Sequence, residues 1–270
     1  MYRAPEPAGG PPLGRVRVLP LIRADGARQM ALDSWMLAAA ASGEVTLRCY
    51  EFARSCVSLG RFQRTDGLDR RAADHGCLEV VRRPTGGRAV LHDGTLTYAI
   101  ALPGAHPWAQ GPVRAVAGRL AGAVLAALQR VGVPPPDDGP AGGRAAADCF
   151  AVAAPYEATW DGAKLMGAAQ VRADGGVLQH GAIRLQAPVH HGRTNSGLGG
   201  LWPDEPLAPS TTVSDAVGRP IDAPTLARAI LESFEEHGAE LRRRALEPDE
   251  ERAWQARVAR FRDPGWTWAR

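Results

Sequence analysis

The hydrophobic pattern of the chain first predicts strands. Residues 15–19 alternate apolar and polar, and four further short runs are rich in β-forming residues. These runs are residues 45–52, 55–59, 78–82 and 96–102. Two Asp-Gly turns, at 161–162 and at 174–176, separate three later runs, residues 156–160, 164–172 and 177–185. Asp-Gly favours the positive-φ turns that close hairpins, so this region predicts two consecutive hairpins.

A second pattern, with apolar residues three or four positions apart, predicts helices. Residues 26–42 show it up to Gly43, and residues 112–131 repeat Val116, Leu120, Val124 and Leu128. Residues 224–237 and 248–261 are two further helices, and residues 68–74 form a brief one. Residues 134–143, rich in proline, aspartate and glycine, predict a mobile loop, and residues 188–212 are irregular.

Strands dominate the middle of the chain, and helices are interspersed without a strict βαβ repeat. We therefore predict an α+β class. Residues 1–14 lack apolar groups to offset the entropy of ordering and predict a disordered tail. Residues 15–270 predict a single domain, and no internal repeat is present.

Composition excludes several classes of protein. The 270 residues carry a formal net charge of +3 without a block of like charges, so we expect no nucleic-acid partner. No stretch approaches the roughly 20 apolar residues that span a bilayer, so we expect no membrane contact. The four cysteines, Cys49, Cys56, Cys77 and Cys149, have no metal-ligand spacing, so we expect no metal site. Free thiols favour a cytoplasmic location.

Cys149 and Lys164 are the candidate catalytic pair. Lys164 is the only lysine of the chain, and the turn at 161–162 can bring it toward the segment after Cys149. A nearby cation stabilises the thiolate, which is the nucleophilic form of cysteine. The plain alternatives are that Cys149 is a small buried apolar residue and that Lys164 is a solvated charge at a strand edge.

A glycine loop is the second candidate feature. Thr85-Gly86-Gly87-Arg88 permits close backbone approach and presents N–H groups to an oxygen-rich ligand. Arg82, Arg83 and Arg88 are candidates to pair with a phosphate or carboxylate. Downstream, His180 is either a general base or a core histidine satisfied by backbone groups, and His92 either orients its imidazole or begins a turn.

Together these segments resemble the family of lipoate-protein ligases, octanoyltransferases and biotin-protein ligases. The resemblance covers about residues 15–186, and it is carried by five motifs. They are Met30-Ala31-Leu32-Asp33, Val57-Ser58-Leu59-Gly60-Arg61-Phe62-Gln63, the loop from Arg82 to Asp93, the segment from Lys164 to Gln170, and Gln179-His180-Gly181. The resemblance implies the fold of that catalytic domain, a mixed central β-sheet with flanking helices.

Within the family, the chain looks most similar to the cysteine-dependent octanoyltransferases that modify the glycine-cleavage H protein. Arg83 to Asp93 has an arginine where the ATP-using ligases have a third glycine, and Gly94-Thr95-Leu96 replaces their Leu-Gly-Asn. Cys149-Phe150, followed by Pro155-Tyr156-Glu157, looks like the nucleophile segment. Ala168 departs from the serine or asparagine usual in the Gly-x-Ala motif.

The resemblance implies a specific reaction. Cys149 takes octanoate from acyl carrier protein as a thioester and passes it to a lysine of a lipoyl-domain protein, while Lys164 holds the carbonyl or assists proton transfer. No cofactor is expected. The substrate-binding residues are expected to be Arg83, Thr85, Gly86, Gly87, Arg88, His92, Gly167, Ala169, His180 and Gly181.

Two alternatives stay open. In an ATP-dependent lipoate ligase, the Gly86-Gly87 loop and Lys164 would hold an acyl-adenylate, and Cys149 would be dispensable. A non-catalytic scaffold would bind lipoyl domains or acyl carrier protein without turnover.

Overall fold

The computed structural model describes residues 11–75, 78–135, 158–188, 201 and 211–269. The strands in these ranges, numbered in chain order, are β1 Gly14–Val18, β2 Ile22–Ala24, β3 Val45–Phe52, β4 Cys56–Leu59, β5 Glu79–Arg82, β6 Val90–His92, β7 Thr95–Pro103, β8 Thr159–Trp160, β9 Ala163–Lys164, β10 Met166–Ala173, β11 Gly176–Arg184 and β12 Ala239–Arg243. The helices are α1 Gly26–Ala39, α2 Arg70–His75, α3 Val113–Arg130, α4 Val213–Val217, α5 Ala223–Glu236, α6 Pro248–Arg262 and α7 Pro264–Thr267, and short 3₁₀ turns occupy Ala40–Ser42 and Pro107–Ala109.

A mixed sheet forms the centre of the described structure, in the order β10-β11-β7-β3-β1-β12, with β2 paired to β3. The first three of these strands and β3 pair antiparallel, whereas β1 pairs parallel with both β3 and β12. One face packs against α3 and α5, and the other packs against α1 and α6. The predicted α+β class, with a mixed sheet and flanking helices, is confirmed.

A smaller sheet of three strands, β5-β4-β6, stands beside α1. It carries the glycine loop, which connects the end of β5 to the start of β6. The ladder between β4 and β6 pairs Ser58 with Val90 and Cys56 with His92. This pairing brings residues far apart in the sequence to the same edge of the site.

Both predicted hairpins are present. Asp161 and Gly162 adopt φ of 50° and 68°, and Asp174 and Gly175 adopt 53° and 75°, as their turn type requires. The second turn sets the register in which Ala169 faces His180. The predicted helices at 26–42, 112–131, 224–237 and 248–261 are also present, with ends that differ by a few residues.

The structure adds elements that the pattern does not predict. β12 reads Ala-Glu-Leu-Arg-Arg and shows little apolar signal, because it is an edge strand held by its parallel ladder with β1. β2 and β6 have three residues each, too few to show a periodicity. The helix α4 is defined mainly by a capping box between Thr212 and Asp215.

The predicted disordered tail needs a correction at its end. Leu13 is 1% exposed, and its amide donates to the carbonyl of His237. The carbonyl of Pro11 accepts a hydrogen bond from the Trp108 indole. Residues 11–14 are therefore held by these contacts, with Leu13 buried, because Leu13 supplies an apolar group that composition alone undervalued. Residues 1–10 lie outside the described residues, and so do 136–143 of the loop predicted to be mobile.

An ion pair connects the C-terminal helix to the sheet. Glu250, in the first turn of α6, accepts hydrogen bonds from Arg17 of β1 at 2.7 and 2.6 Å. It also accepts from the backbone N–H of Glu247, as part of a capping box. The hydrogen bond from Arg17 is the main cause that lowers the pKa of Glu250 from about 4.5 to about 2. None of the helices in the described part of the chain has the length and apolar character of a membrane span.

We expect Glu250→Gln to remove the charge while keeping an acceptor for the cap. Because the folded pKa is depressed, this carboxylate stabilises the fold above the unfolded pKa, and the effect is lost as pH falls from about 4.5 to about 2. The substitution should lower the free energy of unfolding by about 1 kcal/mol at pH 7. Urea unfolding at pH 7 and at pH 2.5 measures this. An equal loss at both pH values would contradict the assignment.

Candidate active site

A cavity opens between α1, the central sheet and the small sheet. The space between its walls, with the open solvent at its mouth, is about 320 Å³. The lining is mostly small or apolar on one side, with Met30, Val90, Gly167, Ala168, Ala169, Gly181 and Ala182, and polar on the other, with Tyr50, Ser58, Arg83, His92, Thr97 and His180. An apolar cavity with a few convergent polar groups is typical of a small-molecule site.

Arg83 holds the glycine loop in place. Its guanidinium donates to the carbonyls of Ser58, Gly86 and Arg88, at 2.7 Å in each case, and to the Thr85 hydroxyl at 3.2 Å. Gly87 takes a positive φ of 89°, and a Cβ there would lie 2.8 Å from Nη2 of Arg83. The loop is thus shaped from inside by an arginine that the sequence suggested as a ligand for an anion.

Arg82 is also turned inward. It is 1% exposed, and it donates to the carbonyls of Gly60, Gln63 and Thr267. These backbone contacts correct the expectation that Arg82 pairs with a phosphate or carboxylate of a ligand. Arg88 differs from both neighbours, because its side chain is half-buried and has no hydrogen bond or ion pair with another described residue. Gly86 is also half-buried, at the tip of the same loop.

His180 connects the loop to a buried carboxylate. Its Nδ1 lies 2.7 Å from Oδ2 of Asp33, and its Nε2 lies 2.6 Å from the Thr85 hydroxyl. The carboxylate can only accept, so Nδ1 is protonated and, in the neutral ring, Nε2 accepts the Thr85 proton. The interpretation of His180 as a core histidine with backbone partners is therefore wrong, because both partners are side chains.

Asp33 is the centre of this network and is fully buried. Oδ1 accepts two hydrogen bonds from Arg48, at 3.0 and 2.6 Å, and Oδ2 accepts from Tyr50 at 2.9 Å as well as from His180. Burial alone would raise the pKa of Asp33, but the charge of Arg48 and the hydrogen bond from His180 lower it overall. The side chain is an ionised carboxylate with all its acceptor sites used.

His92 lies at the polar side of the cavity. Its Nε2 is 2.8 Å from the Ser58 hydroxyl, and its ring stacks on Phe52 at 4.0 Å between centroids. Burial, followed by the charges of Arg83 and His180, lowers the pKa of His92 well below its usual value of 6.5. The ring is therefore uncharged at pH 7. In the part of the chain that the structure describes, no group of three or more His, Cys, Asp or Glu could hold a metal ion.

Lys164 is 3% exposed. It lies two residues before β10, one of the strands that line the cavity. Burial excludes the alternative of a solvated strand-edge charge. Lys164 lies outside the group of described residues that line the cavity, whereas Gly167 and Ala169, three and five positions later, belong to that group. Cys149, with Tyr156 and Glu157 behind it, lies outside the described residues.

Sequence reasoning missed several residues of this site. Asp33 was noted only as part of a helix motif, and Arg48, Tyr50, Ser58 and Thr97 were not singled out. The signals were weak: Arg48 and Tyr50 lie in a strand whose other members, except Glu51, are apolar or small. A buried arginine and a buried aspartate each demand an ionic partner, so their presence in elements with a strong core pattern was the available indication.

Gly60 should be far less tolerant of substitution than Gly86. A Cβ at Gly60 would lie 1.8 Å from the carbonyl oxygen of Gly87, whereas a Cβ at Gly86 meets no atom within 4 Å. Gly60→Ala should therefore lower the free energy of unfolding by about 2 kcal/mol or more, and Gly86→Ala should change it by less than about 0.5 kcal/mol. Denaturant unfolding of the two variants measures this. Equal effects would show that the loop does not pack as described.

Asp33→Asn should destabilise the protein by about 3 kcal/mol, because it leaves Arg48 buried without its counter-charge. Arg48→Met should cost a similar amount for the converse reason. The double variant should cost clearly less than the sum of the two, since no unpaired charge remains. Unfolding free energies of the three variants form the measurement, and additive losses would contradict the ion pair.

Comparison with known proteins gives consistent results. A family model described as "Lipoyl protein ligase A/B catalytic domain" matches residues 25–235. The octanoyltransferase LipM of Moorella thermoacetica is 42% identical over 163 residues, which are 58% of this chain and 60% of that protein. The chain thus spans about three fifths of that relative's length. The octanoyltransferase LipM of Symbiobacterium thermophilum is 35% identical over 73% of this chain and 76% of its own.

Among solved structures, a similar fold occurs in an archaeal lipoylation system of Thermoplasma acidophilum, a bi-partite lipoate protein ligase and its E2 lipoyl domain. The TM-score is 0.70 at 20% identity, over 94% of this chain and 96% of that one. The family match spans α1, the strands from β3 to β11 and the cavity with its glycine loop. This chain therefore belongs to the lipoyl protein ligase A/B catalytic domain family.

Proposed function

We propose that this protein is an octanoyltransferase of lipoate biosynthesis. It moves octanoate from acyl carrier protein, through a thioester on Cys149, to a lysine of a lipoyl-domain protein such as the glycine-cleavage H protein. The observation that carries the proposal is the small apolar cavity, with a buried Lys164 two residues before a strand that lines it, in a chain whose relatives are named octanoyltransferases. The reaction is placed in the cytoplasm, where thiols stay reduced.

The cavity suits an alkyl chain. Alanine and glycine at positions 167, 168, 169, 181 and 182 leave space along the strands, and Met30 closes the other side with an adaptable side chain. Burying an alkyl chain contributes about 0.8 kcal/mol for each methylene. Recognition of the acyl group therefore depends on the apolar surface, and the polar groups fix the end of the chain that reacts.

The proposed transfer has two steps, first from the carrier to Cys149 and then from Cys149 to the acceptor lysine. The Cys149 thiolate attacks the carbonyl of the donor thioester, the bond from that carbonyl to the carrier sulfur breaks, and the carrier leaves as a thiolate that takes up a proton from solvent. The neutral amine of the acceptor lysine then attacks the Cys149 thioester, an amide forms, and Cys149 leaves as a thiolate while the amine loses a proton. Both steps pass through an oxyanion, which a cation beside the carbonyl stabilises.

Lys164 is the proposed source of that positive charge. It is buried, and its neighbours Leu165 and Met166 are fully buried, so its field acts in a water-poor environment. It is the only lysine of the chain, so an acceptor lysine must come from another protein. The glycine loop, including Thr85, Gly87 and Arg88, presents N–H groups and a cation at the same site.

The two described cysteines are poor nucleophiles. Burial raises the pKa of the Cys49 thiol to about 12 and raises that of Cys56 well above its usual value. Both side chains are buried. Of the other two cysteines, Cys77 and Cys149, the proposal assigns thiol chemistry to Cys149, whose pKa a nearby Lys164 would lower.

The thioester gives a direct test. Incubation with octanoyl-acyl carrier protein should add the mass of one octanoyl group to the protein, and hydroxylamine should remove it. Cys149→Ala should abolish this adduct, whereas Cys56→Ala and Cys77→Ala should retain it. Intact-protein mass spectrometry measures all four proteins. An unmodified wild type would contradict the proposal, and so would loss of the adduct in Cys56→Ala or Cys77→Ala with an unchanged fold.

Two further measurements, of pyrophosphate release and of complex formation, separate the alternatives. An ATP-dependent ligase would release pyrophosphate in the presence of free lipoate or octanoate and would keep its activity in Cys149→Ala. A scaffold would form a stable complex with the carrier or with a lipoyl domain and transfer nothing over hours. Either result would replace the thioester route.

A further inference from the structure

A second cleft lies next to the acyl cavity and has no part in the mechanism so far. It is open to solvent, with an empty volume of about 750 Å³. Its lining is polar, with two arginines, two carboxylates and two hydroxyls, which are Arg23, Arg54, Glu51, Asp93, Ser55 and Thr95. His92 lines both the cleft and the acyl cavity. The two spaces are therefore neighbours that share one side chain.

The strands show how the two spaces are connected. Tyr50 of β3 and Thr97 of β7 line the acyl cavity. Phe52, two residues after Tyr50, and Thr95, two residues before Thr97, line the cleft. Tyr50 and Thr97 are paired across the ladder. Residues two apart on a strand share a face and are separated by about 7 Å. The cleft therefore continues the acyl cavity along the same face of the sheet.

The cleft also lies at the end of the sheet where Lys164 is found. Thr95 pairs with Arg184 of β11, and the Arg184 amide donates to the carbonyl of Leu165, the residue after Lys164. Thr95 is thus about two strand spacings, roughly 10 Å, from the backbone at Leu165. A thioester whose carbonyl is held at this end would have its alkyl chain in the cavity and its thiol arm toward the cleft.

The Thr95 hydroxyl and the Arg54 guanidinium are the polar groups of the cleft that stay available to a ligand. Thr95 is 6% exposed, and its hydroxyl has no hydrogen-bond partner among the described residues. Arg54 is exposed and forms no hydrogen bond or ion pair with another described residue. Asp93 accepts from Ser55 at 2.9 Å, and Arg23 donates only weakly, at 3.5 Å, to the Phe52 carbonyl. A buried hydroxyl without a partner favours a ligand that supplies one.

We infer that this cleft binds the polar arm of the acyl donor, a pantetheine-type chain with amides, hydroxyls and a terminal phosphate. Glu51 and Asp93 offer acceptors for amide N–H groups, Thr95 offers a hydroxyl, and Arg54 and Arg23 offer cations to the phosphate. An adenylate is a poorer match, because its base would need an apolar or stacking surface and Phe52 is already covered by His92. The inference rests on the proposed octanoyl transfer.

Two small donors test the cleft. Octanoyl-phosphopantetheine carries the whole arm, and octanoyl-N-acetylcysteamine carries only its first amide. The half-saturating concentration of wild type should be about tenfold or more lower for the long donor. In Thr95→Val and Arg54→Ala this difference between donors should shrink, by about tenfold for Arg54→Ala, since one charge-assisted contact is lost. Arg219→Ala, an exposed arginine after α4, is the matched control and should keep the difference.

Equal half-saturation by the two donors in wild type would overturn the inference, and so would variants that weaken both donors alike. Calorimetric binding of phosphopantetheine without an acyl group separates this result from failure of the proposed function. Binding that Arg54→Ala weakens, with no transfer from either donor, would retain the cleft and reject the transferase. Transfer from both donors, without binding of phosphopantetheine and without a preference between the donors, would retain the transferase and reject the cleft.

Discussion

The buried carboxylate of Asp33 is the interaction on which the site depends. It joins α1, which carries it, to β3 through Arg48 and Tyr50, and to β11 through His180. His180 then fixes Thr85 at the start of the glycine loop. Burial opposes the charge, and only the combined hydrogen bonds and the charge of Arg48 keep the carboxylate ionised. Such a group tolerates a single arrangement of its partners, and that arrangement sets the separation between helix and sheet in which the cavity opens.

Arginine serves this fold mainly as an internal support. Arg48, Arg82 and Arg83 are all buried, and their donors are directed mainly to a carboxylate and to backbone carbonyls of α1, β4 and the nearby loops. Five donors in a rigid fork allow one side chain to hold several carbonyls at once, which lysine could not do. Arg82 also connects the small sheet to Thr267, the last residue of α7. Of the three arginines at this loop, Arg88 is the one whose side chain has no hydrogen bond or ion pair with another described residue.

The sequence predicts what depends on neighbours in the chain. The Asp161-Gly162 and Asp174-Gly175 turns, the period of α3 and the long strands follow from local conformational preference, and all are found. It does not predict what depends on distant contact. Asp33 and His180 are 147 positions apart, and β12 forms only because β1 offers a ladder. The inward direction of Arg82 and Arg83 was hidden for the same reason, since their acceptors are carbonyls exposed by a folded turn.

The protonation states explain why the cavity suits an alkyl chain better than an anion. Asp33 and Arg48 cancel each other within one buried pair, and His92 is kept uncharged by burial and by the charge of Arg83. The lining beneath α1 thus offers hydroxyls, a neutral imidazole and methyl groups, with the charge of Arg83 used on loop carbonyls. An anion placed there would lose its hydration without gaining a free counter-charge. A fatty acyl chain loses nothing polar on entry, so this lining matches the acyl group of the proposed reaction better than an anion.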